Sequence, residues 1–307
     1  MEDRSGRLPS LLVATLAMVF VLVIWGGVVR LSGSGLAIPD WPLAGGKLIP
    51  PAHPNVLIEF GHRVIAMLVT FLMLAIAIVV FRSREYRRSL GVLTVAALIT
   101  LALQVFMGAR VVLEELPVDR VVAHLLLAFT LFAILLVMAL RVTESPAPPA
   151  AGPGRPAPAP SPAPDPRARF LGRLAHLAAG AVFLQAGLGA WVSSSGAALA
   201  CPDFPTCQGS WLPPMTGLVG IHYAHRLGAY TIVVIVLWLL VAAAPAHLPP
   251  RARWPLRFSG ILLAVQVLLG IANVVLRVPL PVSAAHLGTA LALFGTLLTA
   301  AYELKRA

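Results

Sequence analysis

The chain has 307 residues, 59% of them hydrophobic and 11% charged, with a formal net charge of +11 and a mean hydropathy of +0.88. A composition this apolar excludes a soluble globular enzyme and predicts an all-α integral membrane protein. The basic excess needs no nucleic-acid partner, because its placement between loops reads as a topology signal answered by anionic lipid headgroups.

Eight apolar runs are long enough to cross a bilayer as helices: residues 11–29, 56–81, 90–112, 121–140, 170–192, 218–244, 254–276 and 282–302. Arg4 and Arg7 precede the first run, but no small-residue cleavage site follows it, so it reads as a retained helix. An outer loop, residues 30–51, then contains Ile38-Pro-Asp-Trp-Pro-Leu-Ala44. The second run opens with Glu59-x-x-His62-Arg63, which sets a carboxylate one turn from the histidine on the same helix face. Gln104 in the third run reads as an interhelical hydrogen-bond group, and His124 stands near the start of the fourth.

Residues 144–166 follow, with ten prolines between Pro146 and Pro166 interleaved with alanine. Such a stretch forms neither a core nor a continuous helix, and predicts an extended cytoplasmic linker. The fifth run carries His176 near its inner end. After it comes a second outer loop, residues 193–214, with Cys201-Pro-Asp-Phe-Pro-Thr-Cys207. These are the chain's only two cysteines, and their place in one loop on the oxidising side predicts a disulfide, which reads either as a brace for a lid over the C-terminal site or as a redox-exchange pair. His222 and His225-Arg226 lie on the sixth run, Gln266 on the seventh and His286 on the eighth.

With eight spans both termini share one side, and that side holds 16 of the 23 Lys and Arg residues. The acidic residues divide evenly, so the positive-inside rule puts both termini in the cytoplasm of a plasma-membrane protein.

The chain contains itself twice. Residues 25–67 lie over residues 188–230 at an offset of 163 without a gap, and 17 of the 43 positions match. The matched pairs include Pro39/Pro202, Asp40/Asp203 and His62-Arg63/His225-Arg226. At an offset of 162, Gln104/Gln266, Gly108/Gly270, Pro117/Pro279 and His124/His286 match as well. Shared hydrophobicity does not align prolines, aspartates and histidines. The expected architecture is therefore two parallel-repeat four-helix bundles: an N-terminal half over 1–143, a linker over 144–168 and a C-terminal half over 169–307.

Each half thus carries two histidines a few residues inside the outer ends of its second and fourth helices. Ionisable groups within spans are costly and mark function. Heme iron takes imidazole as an axial ligand, and two facing helices supply one from each side. Zinc or copper suits the pattern less, because few further nitrogen, sulfur or oxygen ligands lie nearby. A proton relay does not require matched pairs at equal depth. The gapless repeat lays His225 over His62, which selects His225 as the ligand and leaves His222 over Glu59, as a polar neighbour of the ligand or of a heme propionate. Glu59 is the one carboxylate clearly inside a span. It reads either as an interfacial charge near a helix start or as a proton-handling group beside a reactive heme. Arg63 and Arg226 read equally as cations reaching outer headgroups or as partners of heme propionates.

This ordered set of residues resembles the heme A synthase family, membrane enzymes that convert heme O to heme A for terminal oxidases. The resemblance covers nearly the whole chain: eight spans in two halves, Glu59-x-x-His62-Arg63, His124, His225-Arg226, His286 and the Pro-Asp-aromatic-Pro loops. It implies a heme b ligated by His225 and His286, with substrate heme O between His62 and His124 and a functional glutamate at Glu59. The implied reaction oxidises a porphyrin methyl group to formyl by successive hydroxylations. Implied partners are membrane lipid, a heme O synthase and terminal oxidase assembly factors. The sequence departs from members with cysteine pairs in both outer loops, since Ile38 and Ala44 replace the first pair. Two other readings are a di-heme electron carrier and a heme transporter or chaperone. A carrier working across the membrane needs hemes near opposite faces, whereas all four histidines are expected near one face.

Overall fold

The computed structural model describes residues 7–44, 46–47, 49–143 and 165–306. Eight long helices and one short 3-10 turn make up its regular elements: α1 (Arg7–Leu31), α2 (Pro54–Arg82), α3 (Arg84–Leu113), α4 (Val118–Val142), α5 (Pro166–Ser194), α6 (Gly217–Ala243), α7 (Pro250–Val275) and α8 (Leu280–Leu304). The 3-10 turn is Ala197–Leu199. At about 1.5 Å per residue even a 25-residue helix such as α1 reaches roughly 38 Å, beyond the ~30 Å of a hydrocarbon core. All eight are long and apolar enough to span a membrane. Many large apolar side chains face outward, among them Phe71, Val92, Leu184 and Val241, as a lipid-facing surface requires.

Each apolar run anticipated from sequence corresponds to one helix, and most helices extend beyond their runs at one end or both. Helix α3, for example, starts at Arg84 rather than at residue 90, because hydropathy marks the lipid-embedded part while the helix continues through the headgroup layer. Ser83 accepts a bond from Tyr86 N and caps that start. The Pro/Ala-rich linker expected over residues 144–168 lies outside the described residues as far as residue 164. Its last residues are already helical: the Asp165 side chain accepts from Arg167 N, and Pro166 occupies the first turn, where its missing N–H costs nothing.

Packing follows a simple scheme. Helices α1, α2, α3 and α4 touch in a cycle, with α4 returning to α1, and α5, α6, α7 and α8 do the same. The two groups meet where α1 packs on α8, α4 on α5, and α4 on α8. Within lipid the hydrophobic effect does not drive helices together, so close packing must do it. At this boundary Phe129 of α4 is fully buried against Phe183 of α5 and Phe294 of α8, with ring centroids 6.4 and 5.4 Å away. Around that cluster, large side chains of one group press onto glycines of the other. A Cβ on Gly288 would lie 2.8 Å from Ile24, one on Gly187 3.2 Å from Leu126, one on Gly27 2.8 Å from Leu287 and one on Gly295 3.0 Å from Phe132.

These contacts leave no room for growth. Gly288→Leu is expected to destabilise the protein by about 1–3 kcal/mol through overpacking against Ile24, with part of the loss restored by adding Ile24→Ala. Thermal unfolding in detergent checks this; an unchanged midpoint for Gly288→Leu contradicts the packing described.

Candidate functional site

The four repeat-related histidines come together at one cavity of about 1000 Å³, which all of them line. Ligand pockets span roughly 300–1,000 Å³, so this one stands at the upper limit and suits a very large ligand or two of them. Its wall is mostly apolar and draws on both helix groups. The rings of His62 and His124 are electrostatic neighbours, as are those of His225 and His286.

Each ring rests on a glycine of the preceding helix. A Cβ on Gly26 would stand 3.0 Å from His62 Cε1, and one on Gly189 3.0 Å from His225 Cε1. Gly108 and Gly270 give the same seat to His124 and His286, at 3.1 and 3.3 Å. A side chain at any of these places would push the imidazole out of its position. The interhelical role expected of the glutamines is also present. Gln104 Nε2 donates to His124 Nε2 over 3.4 Å, and Gln266 Nε2 to His286 Nε2 over 3.3 Å. His225 differs, since its Nδ1 and its backbone carbonyl both accept from Gln185 Nε2, at 3.0 and 2.6 Å.

The outer loops roof this cavity, and the arginine that follows each first-named histidine holds its loop down. Arg63 donates to the carbonyls of Ile38, Asp40 and Leu43, each at 2.9 Å. Arg226 donates to the carbonyls of Cys201, Asp203 and Thr206, at 2.9, 2.8 and 2.7 Å. Every acceptor pair is 163 residues apart. Both loops also turn alike: Asp40 accepts from Gly46 N and Asp203 from Gly209 N, with those glycines at φ +72° and +75°, a conformation that a side chain would strain. The Thr206 hydroxyl and the N–H groups of Gly209 and Gln208 hold the Asp203 carboxyl down to about 2 from its ordinary value of 3.8. Both guanidinium groups are turned to the loops, where they bond one buried carbonyl, that of Cys201, and others that are partly buried or exposed.

Cys201 and Cys207 form the expected disulfide, and both are fully buried. In the first loop Ile38 and Ala44 occupy the same places and are also buried.

Glu59 is 3% exposed, and both its oxygens are engaged. Oε1 accepts from Arg63 Nη2 at 2.7 Å and Oε2 from Ile38 N at 2.8 Å. It lines the cavity beside His62, well inside the protein and not at an exposed interface. At the equivalent place His222 is also buried and donates from Nδ1 to the Ala197 carbonyl over 2.9 Å. One site therefore carries a fixed carboxylate where the other carries an imidazole. His176 bonds its own helix at Gly172 O and takes no part.

A feature outside the sequence reading is Arg30. In the sequence it stands among the outer-face charges that set topology; in the structure it lines the cavity and donates from Nη1 to Ser193 O over 3.1 Å. The available signal was a break in the repeat, since Ser193 is the residue 163 places on.

Three observations test the fit of a metal porphyrin. Beyond the long Gln104 and Gln266 contacts, no protein group among the described residues engages the ring nitrogens of His62, His124 or His286, and their Nδ1 atoms are buried without a partner. The glycine seats clear space beside each imidazole. No cluster of three or more His, Cys, Asp or Glu suited to a bare metal ion occurs among the described residues. Paired imidazoles facing a mostly apolar cavity fit a metal porphyrin, which His62 with His124 and His225 with His286 would hold.

Fold and site together define a polytopic helical membrane protein with two buried histidine pairs at a shared apolar cavity. Residues 9–298 match the family model COX15-CtaA, described as cytochrome oxidase assembly protein. The chain belongs to that family. It is similar to the heme A synthase of Symbiobacterium thermophilum, 34% identical over 84% of this chain and 82% of the relative. Those of Shewanella oneidensis, at 29% over 97% of each chain, and Bacillus licheniformis, at 28% over 93% and 92%, are further relatives.

The clamp role of the second arginine is open to measurement. Arg226→Leu orphans three loop carbonyls, so the loop closed by the disulfide should be cut faster by protease in detergent than in the parent chain; equal rates would show that Arg226 does not hold it.

Proposed function

We propose that this chain is a plasma-membrane heme A synthase, with both termini cytoplasmic, which oxidises a methyl substituent of heme O to a formyl group by successive hydroxylations. The observation that carries this reading is the pair of equivalent bis-histidine sites that differ at one wall position, Glu59 against His222. Two identical sites would suit simple electron carriage. Distinct sites suit one porphyrin that is altered and one that is kept.

In this reading residues 1–143 form the substrate half and residues 169–307 the resident half, related as parallel repeats. His62 and His124 hold the iron of heme O, and His225 and His286 hold heme b. When bound, heme b supplies a one-electron redox centre close to the substrate.

The rest is the work of side chains. The histidine pair, seated on Gly26 and Gly108, would fix the depth and position of the substrate in the cavity. Glu59 cannot swing, because Arg63 and the Ile38 N–H hold one oxygen each. Its fixed negative charge is placed to favour positive charge at a nearby substrate carbon and to accept a proton from it. The roof formed by Trp41, Pro42 and Leu43 limits water above the substrate. The apolar wall accepts the long hydrocarbon tail of heme O, which arrives from lipid. A heme O synthase upstream and terminal oxidase assembly downstream are the partners this chemistry calls for.

All four ligands lie in the outer halves of their helices and around one cavity, an arrangement unsuited to carrying electrons from one membrane face to the other. Pigment extraction from cells that express the chain with a heme O synthase tests the enzyme reading: heme A should accumulate, and a bound protoheme that never changes would favour the carrier. His225→Ala and His286→Ala should each lose the low-spin heme b spectrum, and unaltered spectra would remove both from ligation. Glu59→Ala should keep bound heme yet form no formyl product; an undiminished heme A yield takes Glu59 out of the chemistry.

A further inference from the structure

Three guanidinium groups stand at the outer end of the cavity, and they differ in how many of their donors are used. Arg63 is spent on three carbonyls and the Glu59 carboxylate. Arg226 binds three carbonyls through its two terminal nitrogens and leaves its Nε without a partner. Arg30, in the last turn of α1, makes a single bond from Nη1 to Ser193 O. A guanidinium has five N–H donors, so most of Arg30's remain open toward the cavity it lines. No carboxylate lies within ion-pair distance of it among the described residues.

Its location is as informative as its lack of partners. Arg30 and Ser193 occupy equivalent places in the two repeats, yet they touch each other. Two equivalent positions meet only at the boundary where the repeats face one another. Arg30 therefore stands at that boundary, and it lines the cavity that all four histidines share. A cation in such a place is costly unless an anion joins it. A planar guanidinium with free parallel donors is suited above all to a carboxylate.

We propose that Arg30 is the carboxylate anchor of the cavity, binding porphyrin propionate groups at the boundary between the two sites. This rests on the porphyrin reading above, and it moves to Arg30 the propionate role that sequence divides between Arg63 and Arg226. Ser193 lends a backbone carbonyl that steers the guanidinium and leaves its other edge for the ligand.

The test titrates the purified full chain, stripped of pigment, with protoheme and separately with protoheme dimethyl ester, whose carboxylates are masked. Arg30→Leu should weaken protoheme binding about 10- to 100-fold, the range for a hydrogen bond to a charged group. Arg30→Lys, which keeps the charge without the fork, should lie between. For the ester, parent and Arg30→Leu should bind alike, a pattern that a packing defect does not give. Equal weakening for both porphyrins, or for neither, overturns the assignment. His225→Ala in the same titration separates the two levels: if it leaves protoheme binding unchanged, the porphyrin reading itself fails, whatever Arg30 does.

Discussion

The structure depends on a guanidinium that ties an outer loop to the helix bearing an imidazole. Arg63 and Arg226 each stand one residue after a cavity histidine and bind three carbonyls of the loop above. Irregular backbone at the edge of a membrane core has few ways to satisfy its carbonyls, and an arginine rooted in a helix supplies three at once. The same side chain thereby fixes loop, helix and histidine relative to one another. Roof and ligand become one rigid unit, which a reaction on a single methyl group requires.

Upon this shared frame the two sites are individualised by few substitutions. The first loop has buried Ile38 and Ala44 where the second has a disulfide. Glu59 stands where His222 stands, and Arg30 where Ser193 stands. The carboxylate at Glu59 neutralises Arg63, while His222 offers Arg226 no such charge. Changing the electrostatics without moving the backbone gives one fold two different porphyrin environments, and the proposed division between altered and resident heme follows from it.

Much of this was legible in the sequence, for definite reasons. Runs of apolar residues announce helices in lipid because nothing else satisfies the backbone there, so all eight elements were foreseen. The offset of 163 lays His225 over His62, and in the structure those two rings rest on the equivalent glycines Gly189 and Gly26, because a gapless repeat carries position as well as composition. The partners of the charged groups were not legible. Carbonyl acceptors such as those of Ile38 and Cys201 leave no mark in residue identity, so Arg63 and Arg226 stayed divided between headgroups and propionates. Arg30 hid for a related reason, since a basic residue at a helix end is what topology alone requires. The matched glycines were visible in the repeat, but that Gly26 lies against His62 depends on which helices pack together.

The boundary between the two helix groups carries a sorting rule. Ile24 corresponds to Gly187 and Leu126 to Gly288, so the contacts of Ile24 with Gly288 and of Leu126 with Gly187 are one contact made twice, with bulk always supplied by the first group. Two copies of the first group would drive isoleucine into leucine; two of the second would leave glycine facing glycine across a void. At this contact mismatched pairings are thus penalised from both directions, which keeps the Glu59-bearing group packed against the His222-bearing one.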